Sequence, residues 1–356
     1  MDKKRFLALQ IKPVGNECNI NCTYCYASPF KKHKVQIMDS KTLQKIVKES
    51  IDNADEITVS WHGGEPTIAG LPFFQKYMFY VKKYKRENQT IINRIQTNAT
   101  LITNELAEFF KENDFIVSVS IDGPEFLHDL NRCDFNQKGT FAKTMIGVNI
   151  LRQNGIEPEV IATISQTNVN YPKEIFDFFH SNKFKYLKLN AIYDSKTDKF
   201  SISNDLWLSF VKDIFNLWLE AMDSNFHIRE IDDILTSISG QQINCCNGAA
   251  ACLKWISIDP SGDMYPCEYL RASKSYGNIS TMKLEEVLTN KNYKDFVNLF
   301  ERLPKKCLKC KLLRYCGNGC PATRVKNNKT VFDGNYVYCK YNKEMFNYVT
   351  NLLKNI

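Results

Sequence analysis

Thirteen cysteines dominate what this chain could do chemically. Three of them, Cys18, Cys22 and Cys25, stand in CNINCTYCY with a C-x3-C-x2-C spacing. Closed zinc and iron–sulfur sites normally take four ligands, and the nearest histidine is His33. Three thiolates on a four-iron cubane leave one iron open, which marks a catalytic rather than a structural site. A zinc site completed from elsewhere is the plainer alternative. The second block runs Cys246, Cys252, Cys267, Cys307, Cys310, Cys316, Cys320 and Cys339. Within it, Cys307-x2-Cys310 and Cys316-x3-Cys320 have zinc-compatible spacing, so that block alone leaves a zinc ribbon pair as open as iron–sulfur. Cys133 stands apart and is expected to be an ordinary thiol.

The rest of the composition describes a globular chain. Of 356 residues, 44% are hydrophobic and 24% charged, enough for one large domain or two ordinary ones. No apolar run is long enough to cross a membrane. The N-terminus, MDKKRFLALQIKP, lacks the long apolar segment and cleavage site of a signal peptide, so a cytoplasmic protein is expected. Disulfides are disfavoured there, and clustered cysteines point to metal or redox chemistry. The net charge of +8 comes from lysines scattered among acids, as in KKYKRENQT; a solvated surface is expected, with no nucleic-acid groove.

Something must position the cysteine loop. Alternating apolar residues predict strands at 6–13, 56–64, 91–99, 115–123, 158–168 and 186–193. Helical patterns lie between them, the first at 40–54 with Ser40 as its cap and the third capped by Thr103. Six βα steps imply an α/β fold: a partial (β/α)6 TIM-like barrel with a parallel sheet and helices outside. CNINC, HGGEP, QTN and SIDGP each fall where a strand ends, the face on which such barrels carry their chemistry. A helix at 204–222 carries aromatics at helical spacing, read as core. From about residue 240 the strands shorten to a hairpin turning at Pro260–Gly262, and one helix is expected at 283–303. The division expected is a barrel at 1–235, a cysteine-rich domain at 236–340 and a closing helix at 341–356.

With Cys18, Cys22, Cys25 and Tyr24 followed one βα unit later by Gly63-Gly64-Glu65-Pro66, the sequence resembles the radical S-adenosylmethionine (SAM) superfamily. The resemblance implies that SAM chelates the fourth iron, that the GGEP segment contacts its amino group and that Tyr24 lies beside its adenine. The cluster would then pass one electron into the sulfonium, releasing a 5′-deoxyadenosyl radical. The second cysteine block resembles the SPASM domain, which implies two auxiliary [4Fe–4S] clusters. One would be held by Cys246, Cys252, Cys267 and Cys320, the other by Cys307, Cys310, Cys316 and Cys339, leaving Cys245 spare.

Over nearly the whole chain the resemblance is to anaerobic sulfatase-maturating enzymes and related peptide maturases. It implies that Ser120 and Asp122 lie near SAM and that Asn98 and Arg132 belong to the site. Two departures stand out. Those maturases typically have an Asp base after the cysteine matching Cys267, where this chain has Glu268; they often have Gln where this chain has His62. Glu268 and His62 are the candidate catalytic residues, and both changes favour another peptide modification, such as a side-chain cross-link, over formylglycine formation from Cys or Ser. The implied partners are a peptide or protein substrate and a flavodoxin- or ferredoxin-type reductant. With the cluster cysteines beginning at Cys18, no separate leader-recognition domain is expected before them. A zinc-dependent nucleic-acid-binding protein and a plain electron carrier are the competing classes.

Overall fold

The computed structural model describes residues 5–28, 34–192, 199–241, 243, 251–268, 270, 275–326, 329–330 and 334–354. In chain order the first elements are β1 Phe6–Ile11, α1 Ser40–Asn53, β2 Glu56–Trp61, α2 Leu71–Tyr84, β3 Thr90–Thr97, α3 Asn104–Glu112 and β4 Phe115–Ser120. They continue with α4 Glu125–His128, α5 Phe141–Gln153, β5 Glu159–Ile164, α6 Pro172–Ser181, β6 Tyr186–Ala191, α7 Asn204–Ala221, β7 His227–Ile228 and α8 Arg229–Ile238. The cysteine-rich part holds β8 Trp255–Ile258, β9 Asp263–Tyr265, β10 Gly277–Asn278, α9 Lys291–Glu301, α10 Lys305–Leu308 and α11 Leu313–Cys316. Last come β11 Arg324–Lys326, β12 Lys329–Thr330, β13 Asn335–Tyr336 and α12 Cys339–Leu353.

The chain packs as two compact units, each drawn from separate stretches of sequence. The first comprises Met1–Ser120, Asn131–Pro158 and Leu253–Phe296. Its sheet has the order β10-β9-β8-β1-β2-β3-β4. β1 to β4 pair in parallel, with Phe6 opposite Glu56 and Ile11 opposite Trp61. β8 also joins β1 in parallel, so the hairpin β8–β9, turning through Gly262 at φ +87°, packs beside the first strand. Central parallel strands are buried on both faces, and Ala8, Leu9 and Ile11 are fully buried. Behind them Trp61 meets the rings of Phe73, Phe74 and Tyr77 edge-on, at centroid distances of 5.6, 5.5 and 4.7 Å.

Local chemistry explains where these elements start and stop. α1 begins where expected, but its cap is Asp39, whose carboxylate accepts the Thr42 N–H at 2.8 Å. Ser40 instead hydrogen-bonds the Tyr80 hydroxyl at 2.6 Å, which takes it out of the capping role. Thr103 caps α3 as read, accepting from Leu106 N at 3.2 Å. The helix expected at 283–303 is two pieces, a 3-10 segment Leu284–Thr289 and then α9. Asn290 breaks it, because its side-chain oxygen accepts from Asn292 N and restarts the helix.

The second unit comprises Ile121–Leu130, Glu159–Cys252 and Val297–Ile356. Its strands β5, β6 and β7 are parallel neighbours. The aromatics of α7 are core as read, with Trp207, Phe210 and Phe215 buried. α12 lies against α7: Trp207 packs on Tyr341 at 5.6 Å, and Tyr348 donates to Asn216 at 2.7 Å. This closing helix starts at Cys339, ahead of the expected Tyr341, so a candidate cluster ligand sits in its first turn.

One buried acid in this unit makes a stability prediction. Glu230 accepts the Leu189 N–H at 2.9 Å, and burial pushes its carboxyl up to about 7. The folded state therefore holds a proton that the unfolded chain releases near its ordinary value, so stability is fullest below that value and falls as pH rises toward 7. The span corresponds to about 3 kcal/mol. Glu230→Gln keeps the acceptor and removes the charge, so its melting temperature at pH 8 should exceed that of the parent, with the two curves converging near pH 4. Identical pH dependence in a thermal melt series would exclude this role.

Candidate active site

The loop after β1 carries Cys18, Cys22 and Cys25, each partly exposed. Cys22 and Cys25 close a turn through Cys25 N–H to Cys22 O at 3.2 Å. A second segment fastens this loop from the side. Asn21 N–H donates to Cys133 O at 2.7 Å and Thr23 N–H to Asn131 O at 2.9 Å. The Cys133 thiol, 4% exposed, lies 3.4 Å from Asn21 O. Cys133 is thus a packing residue of the cysteine loop, a role no spacing rule reveals.

The GGEP segment is pressed against the same loop. Gly64 N–H donates to Gly15 O and Glu65 N–H to Glu17 O, both at 2.9 Å. A Cβ on Gly64 would stand 1.8 Å from Glu17 O, and one on Gly63, at φ +111°, 2.3 Å from Gly15 O. Only glycine permits this backbone contact. Glu65 is 1% exposed and anchors the segment. Its Oε1 accepts from Thr67 N, Thr67 Oγ1 and Thr97 Oγ1, and its Oε2 from Asn98 N at 2.7 Å. Burial drives this carboxyl up, and the four donors oppose that. The Glu65 carboxylate is engaged inward and Pro66 is buried, so the Gly63–Gly64 backbone is held against the loop of Gly15 to Glu17.

The remaining sequence-predicted residues fall into smaller groups. Asn98 Nδ2 lies 3.7 Å from the Cys18 sulfur and 2.9 Å from Asn19 Oδ1, so it faces the cysteine loop. Ser120 accepts from Gln96 at 2.8 Å, both at the ends of neighbouring strands β3 and β4. Arg132 donates to the Tyr24 hydroxyl at 2.9 Å, which fixes the aromatic ring before the third cysteine. Asp122, in the second unit and 1% exposed, accepts from Thr163 N at 2.9 Å. His62 Nδ1 accepts the Gly63 N–H at 2.8 Å, so in the neutral ring the proton is on Nε2.

Glu268 sits in a buried network that the sequence reading missed. Its Oε2 pairs with the Lys12 ammonium and its Oε1 accepts from Asn16 Nδ2 at 2.9 Å. Lys12 also donates to Asn16 Oδ1 at 3.1 Å and lies over the Tyr265 ring, 5.6 Å from its centroid. The Tyr265 hydroxyl donates to Asp259 at 2.5 Å and stands 3.4 Å from Glu268 Oε2. Lys12 is fully buried and Glu268 is 6% exposed. A lysine ending an otherwise apolar strand, directly before the cysteines, was the available signal. Lys12 and Asn16 thus hold both oxygens of this carboxylate in one orientation.

In the cysteine-rich stretch, Cys267 belongs to the first unit, while Cys252, Cys307, Cys310, Cys316, Cys320 and Cys339 belong to the second. Cys246 lies outside the described residues. Burial raises the Cys307 thiol, and the neighbouring Cys339 and Cys310 add to that push. Cys316 is likewise raised by burial, with Cys339 and Cys307 contributing and Asn342, 3.3 Å from its sulfur, opposing. Cys310 N–H donates to Cys307 O at 3.0 Å, and Asn318, two residues after Cys316, has its Oδ1 3.7 Å from the Cys307 sulfur. Arg324, fully buried, also feels the charges of Cys320, Cys252, Cys307 and Cys316.

Among the described residues, no three His, Cys, Asp or Glu converge closely enough for one metal ion. A four-iron cubane makes a different demand, because each thiolate meets its own iron. The three-cysteine loop, its N–H···S contact from Asn98 and the glycine cradle fit a SAM-binding [4Fe–4S] cluster, and the Cys307 group fits a second, closed one. The cradle carries a prediction. Gly64→Ala forces the two loops apart, so SAM affinity measured by equilibrium dialysis should fall at least about tenfold, the equivalent of ~1.4 kcal/mol. Unchanged affinity would show that the close approach does not serve the ligand.

Comparison with known proteins follows the same lines. The sequence model of the radical SAM superfamily matches residues 13–179, and that of the SPASM iron–sulfur cluster-binding domain matches residues 246–311. The cysteine-type anaerobic sulfatase-maturating enzyme of Clostridium perfringens is 31% identical, over 98% of both chains. The serine-type enzyme of Bacteroides thetaiotaomicron is 32% identical, over 96% of this chain and 89% of that protein. The solved structure of native anSMEcpe with bound AdoMet and Cp18Cys peptide superposes with a TM-score of 0.87 at 29% identity, covering 99% of this chain and 98% of that one. Streptococcus suis SuiB bound to precursor peptide SuiA shares the fold, with a TM-score of 0.70 at 16% identity over 94% of this chain and 75% of that one.

Proposed function

The chain belongs to the radical SAM superfamily, in the branch that carries a SPASM domain, and from that membership we propose that Glu268 is the base in the oxidation of a peptide side chain. The protein is a SAM- and [4Fe–4S]-dependent enzyme that modifies a residue of a peptide or protein. When bound, the cluster and SAM supply the one-electron chemistry that removes a hydrogen atom from carbon. Cys18, Cys22 and Cys25 hold that cluster, the Gly63–Gly64 backbone and Tyr24 receive SAM, and Arg132 orients Tyr24 through its hydroxyl. Ser120 and Asp122, at and just after the end of β4, are further SAM-site residues, and Asn98 steadies Cys18.

After hydrogen abstraction the substrate must lose one more electron and one proton. Glu268 takes the proton; Lys12 and Asn16 hold both of its oxygens in place. His62, whose Nδ1 accepts the Gly63 N–H, stands next to the glycine cradle as the second candidate catalytic residue. Cys246, Cys252, Cys267 and Cys320 would hold one auxiliary cluster and Cys307, Cys310, Cys316 and Cys339 the other; these groups would supply a route for that electron toward a flavodoxin- or ferredoxin-type carrier. No helix among the described residues is long and apolar enough to cross a membrane, and the thiol-rich site suits a reducing cytoplasm. We assign it no nucleic-acid partner.

The observation that carries this reading is the buried Lys12–Glu268 pair one residue beyond Cys267. Glu268 and His62 in place of Asp and Gln favour a side-chain cross-link as the product. Full-length likeness to sulfatase-maturating enzymes favours a second reading, oxidation of Cys or Ser to formylglycine. Anaerobic turnover with SAM and a reductant decides. A sulfatase-derived peptide should emerge unchanged, and a peptide encoded beside the gene should lose two hydrogens without gaining a hydrazide-reactive aldehyde. Aldehyde formation would establish the second reading; absence of 5′-deoxyadenosine with intact clusters would remove both.

A further inference from the structure

Charge along this chain is mostly interleaved, and cations such as Lys48, Lys173 and Lys340 sit against Asp52, Asp177 and Asp205. One stretch breaks that rule. Between Arg302 and Arg314 stand six cations, Arg302, Lys305, Lys306, Lys309, Lys311 and Arg314, and no carboxylate. All six are exposed, and none of their side chains pairs with a carboxylate among the described residues. They surround Cys307 and Cys310, both partly exposed, and Leu308 at the centre is 61% exposed. Beside them Lys311, Arg314, Tyr315, Gln241 and Phe346 line a cleft of about 120 Å³.

We propose that this face is the docking surface for a small acidic one-electron carrier protein, which exchanges electrons with the cluster held by Cys307, Cys310, Cys316 and Cys339. The inference rests on the reading above and adds the place where the partner binds. Unpaired like charges on one face repel one another, so they are relieved by an anionic partner, which they also steer at long range. Leu308 supplies an apolar contact in the middle of a polar rim, the anatomy of a short-lived electron-transfer interface. An RNA would use the same cations but has no need of cluster thiols at their centre. The electron balance closes. The substrate gives up a hydrogen atom, then a proton to Glu268 and an electron, and that electron reduces the oxidised carrier by one equivalent.

The test uses the holoenzyme, reduced with dithionite and desalted, mixed in stopped flow with oxidised bacterial flavodoxin as probe. Formation of the flavin semiquinone is followed at low and high ionic strength. The combined change Lys305→Glu, Lys306→Glu and Lys309→Glu should lower the second-order rate constant about tenfold or more at low salt and flatten its salt dependence. Changing the exposed Lys82, Lys83 and Lys85, at and just beyond the C-terminal end of α2, to Glu is the control and should leave the rate unchanged. Should the charge reversal cost cluster content, the same three positions changed to Gln are read in its place. An unaltered rate and salt slope, an equal loss in the control, or a loss confined to polyuridylate binding would overturn the proposal. Dithionite-supported 5′-deoxyadenosine formation should persist in every variant; its absence in the parent protein would instead remove the enzymatic reading.

Discussion

Glu268→Gln is expected to leave 5′-deoxyadenosine formation in place while lowering modified peptide by about 10²- to 10⁴-fold, the usual weight of a positioned general base. The separation of the two readouts follows from geometry. The Glu268 carboxylate engages the polar ends of Lys12 and Asn16. The cysteine loop is fastened by Asn131 and Cys133 and the glycines by the carbonyls of Gly15 and Glu17; Lys12 reaches the cradle only with its stem, beside Gly63. Radical formation therefore does not need the carboxylate, but the second oxidation does. The single change also strands a fully buried ammonium, and breaking a buried pair from one side costs about 3–5 kcal/mol. Lys12→Met combined with Glu268→Gln removes both charges and should recover most of that stability without recovering product. A double variant that forms product at the parental rate would exclude the base assignment. Glu268→Asp asks a separate question: the carboxylate withdrawn by one methylene loses its reach to Lys12, so it should be slower than Glu.

Much of this site could be read from residue order because the chemistry is local. The C-x3-C-x2-C loop, GGEP and the later cysteines are short patterns whose spacing itself meets a physical demand: thiolates on separate irons, and glycines where two backbones touch. The βα alternation was legible for the same reason, since parallel strands buried on both faces leave long apolar runs. What stayed hidden depends on contacts distant in sequence. Lys12 and Glu268 are 256 residues apart, and nothing near either announces the other. Cys133 and Asn131 fasten the cysteine loop in part through backbone atoms, which any residue could supply. The cap of α1 went to Asp39 because Tyr80, distant in the chain, claimed Ser40. The hairpin β8–β9 falls between Cys252 and Cys267 in the cysteine-rich stretch of sequence, yet its partner in the sheet is β1.

Arg324 is the clearest case of such a hidden residue, and its replacement should have the second large effect. No motif marks it, but it is fully buried and its fork is spent on backbone carbonyls. Nε donates to Asn318 O at 3.0 Å, one terminal nitrogen to Leu299 O at 2.8 Å and the other to Gly319 O at 3.3 Å, while the guanidinium lies 5.2 Å over the Phe300 ring. Asn318 and Gly319 belong to the short loop between Cys316 and Cys320, which are assigned to different auxiliary clusters, and Asn318 Oδ1 lies 3.7 Å from the Cys307 sulfur. Burial pulls the guanidinium below its usual value; the thiolates of Cys320, Cys252, Cys307 and Cys316 pull the other way. A cation in this position stabilises the more negative, reduced state of both clusters. Arg324→Met removes that charge and takes the donor from the buried carbonyls of Asn318 and Gly319 and the part-buried one of Leu299, a cost of about 1–3 kcal/mol for each buried unsatisfied group. Potentiometric titration followed by electron paramagnetic resonance should then show both auxiliary couples moved to lower potential, by about 59 mV for every ~1.4 kcal/mol of lost attraction, while the SAM-binding cluster stays in place as an internal standard. Arg324→Lys keeps the charge but not the fork, so it should hold the potentials near the parent's and lose mainly thermal stability. Equal potentials in the Met and Lys variants, with iron content intact, would show that Arg324 is a structural clamp and nothing more.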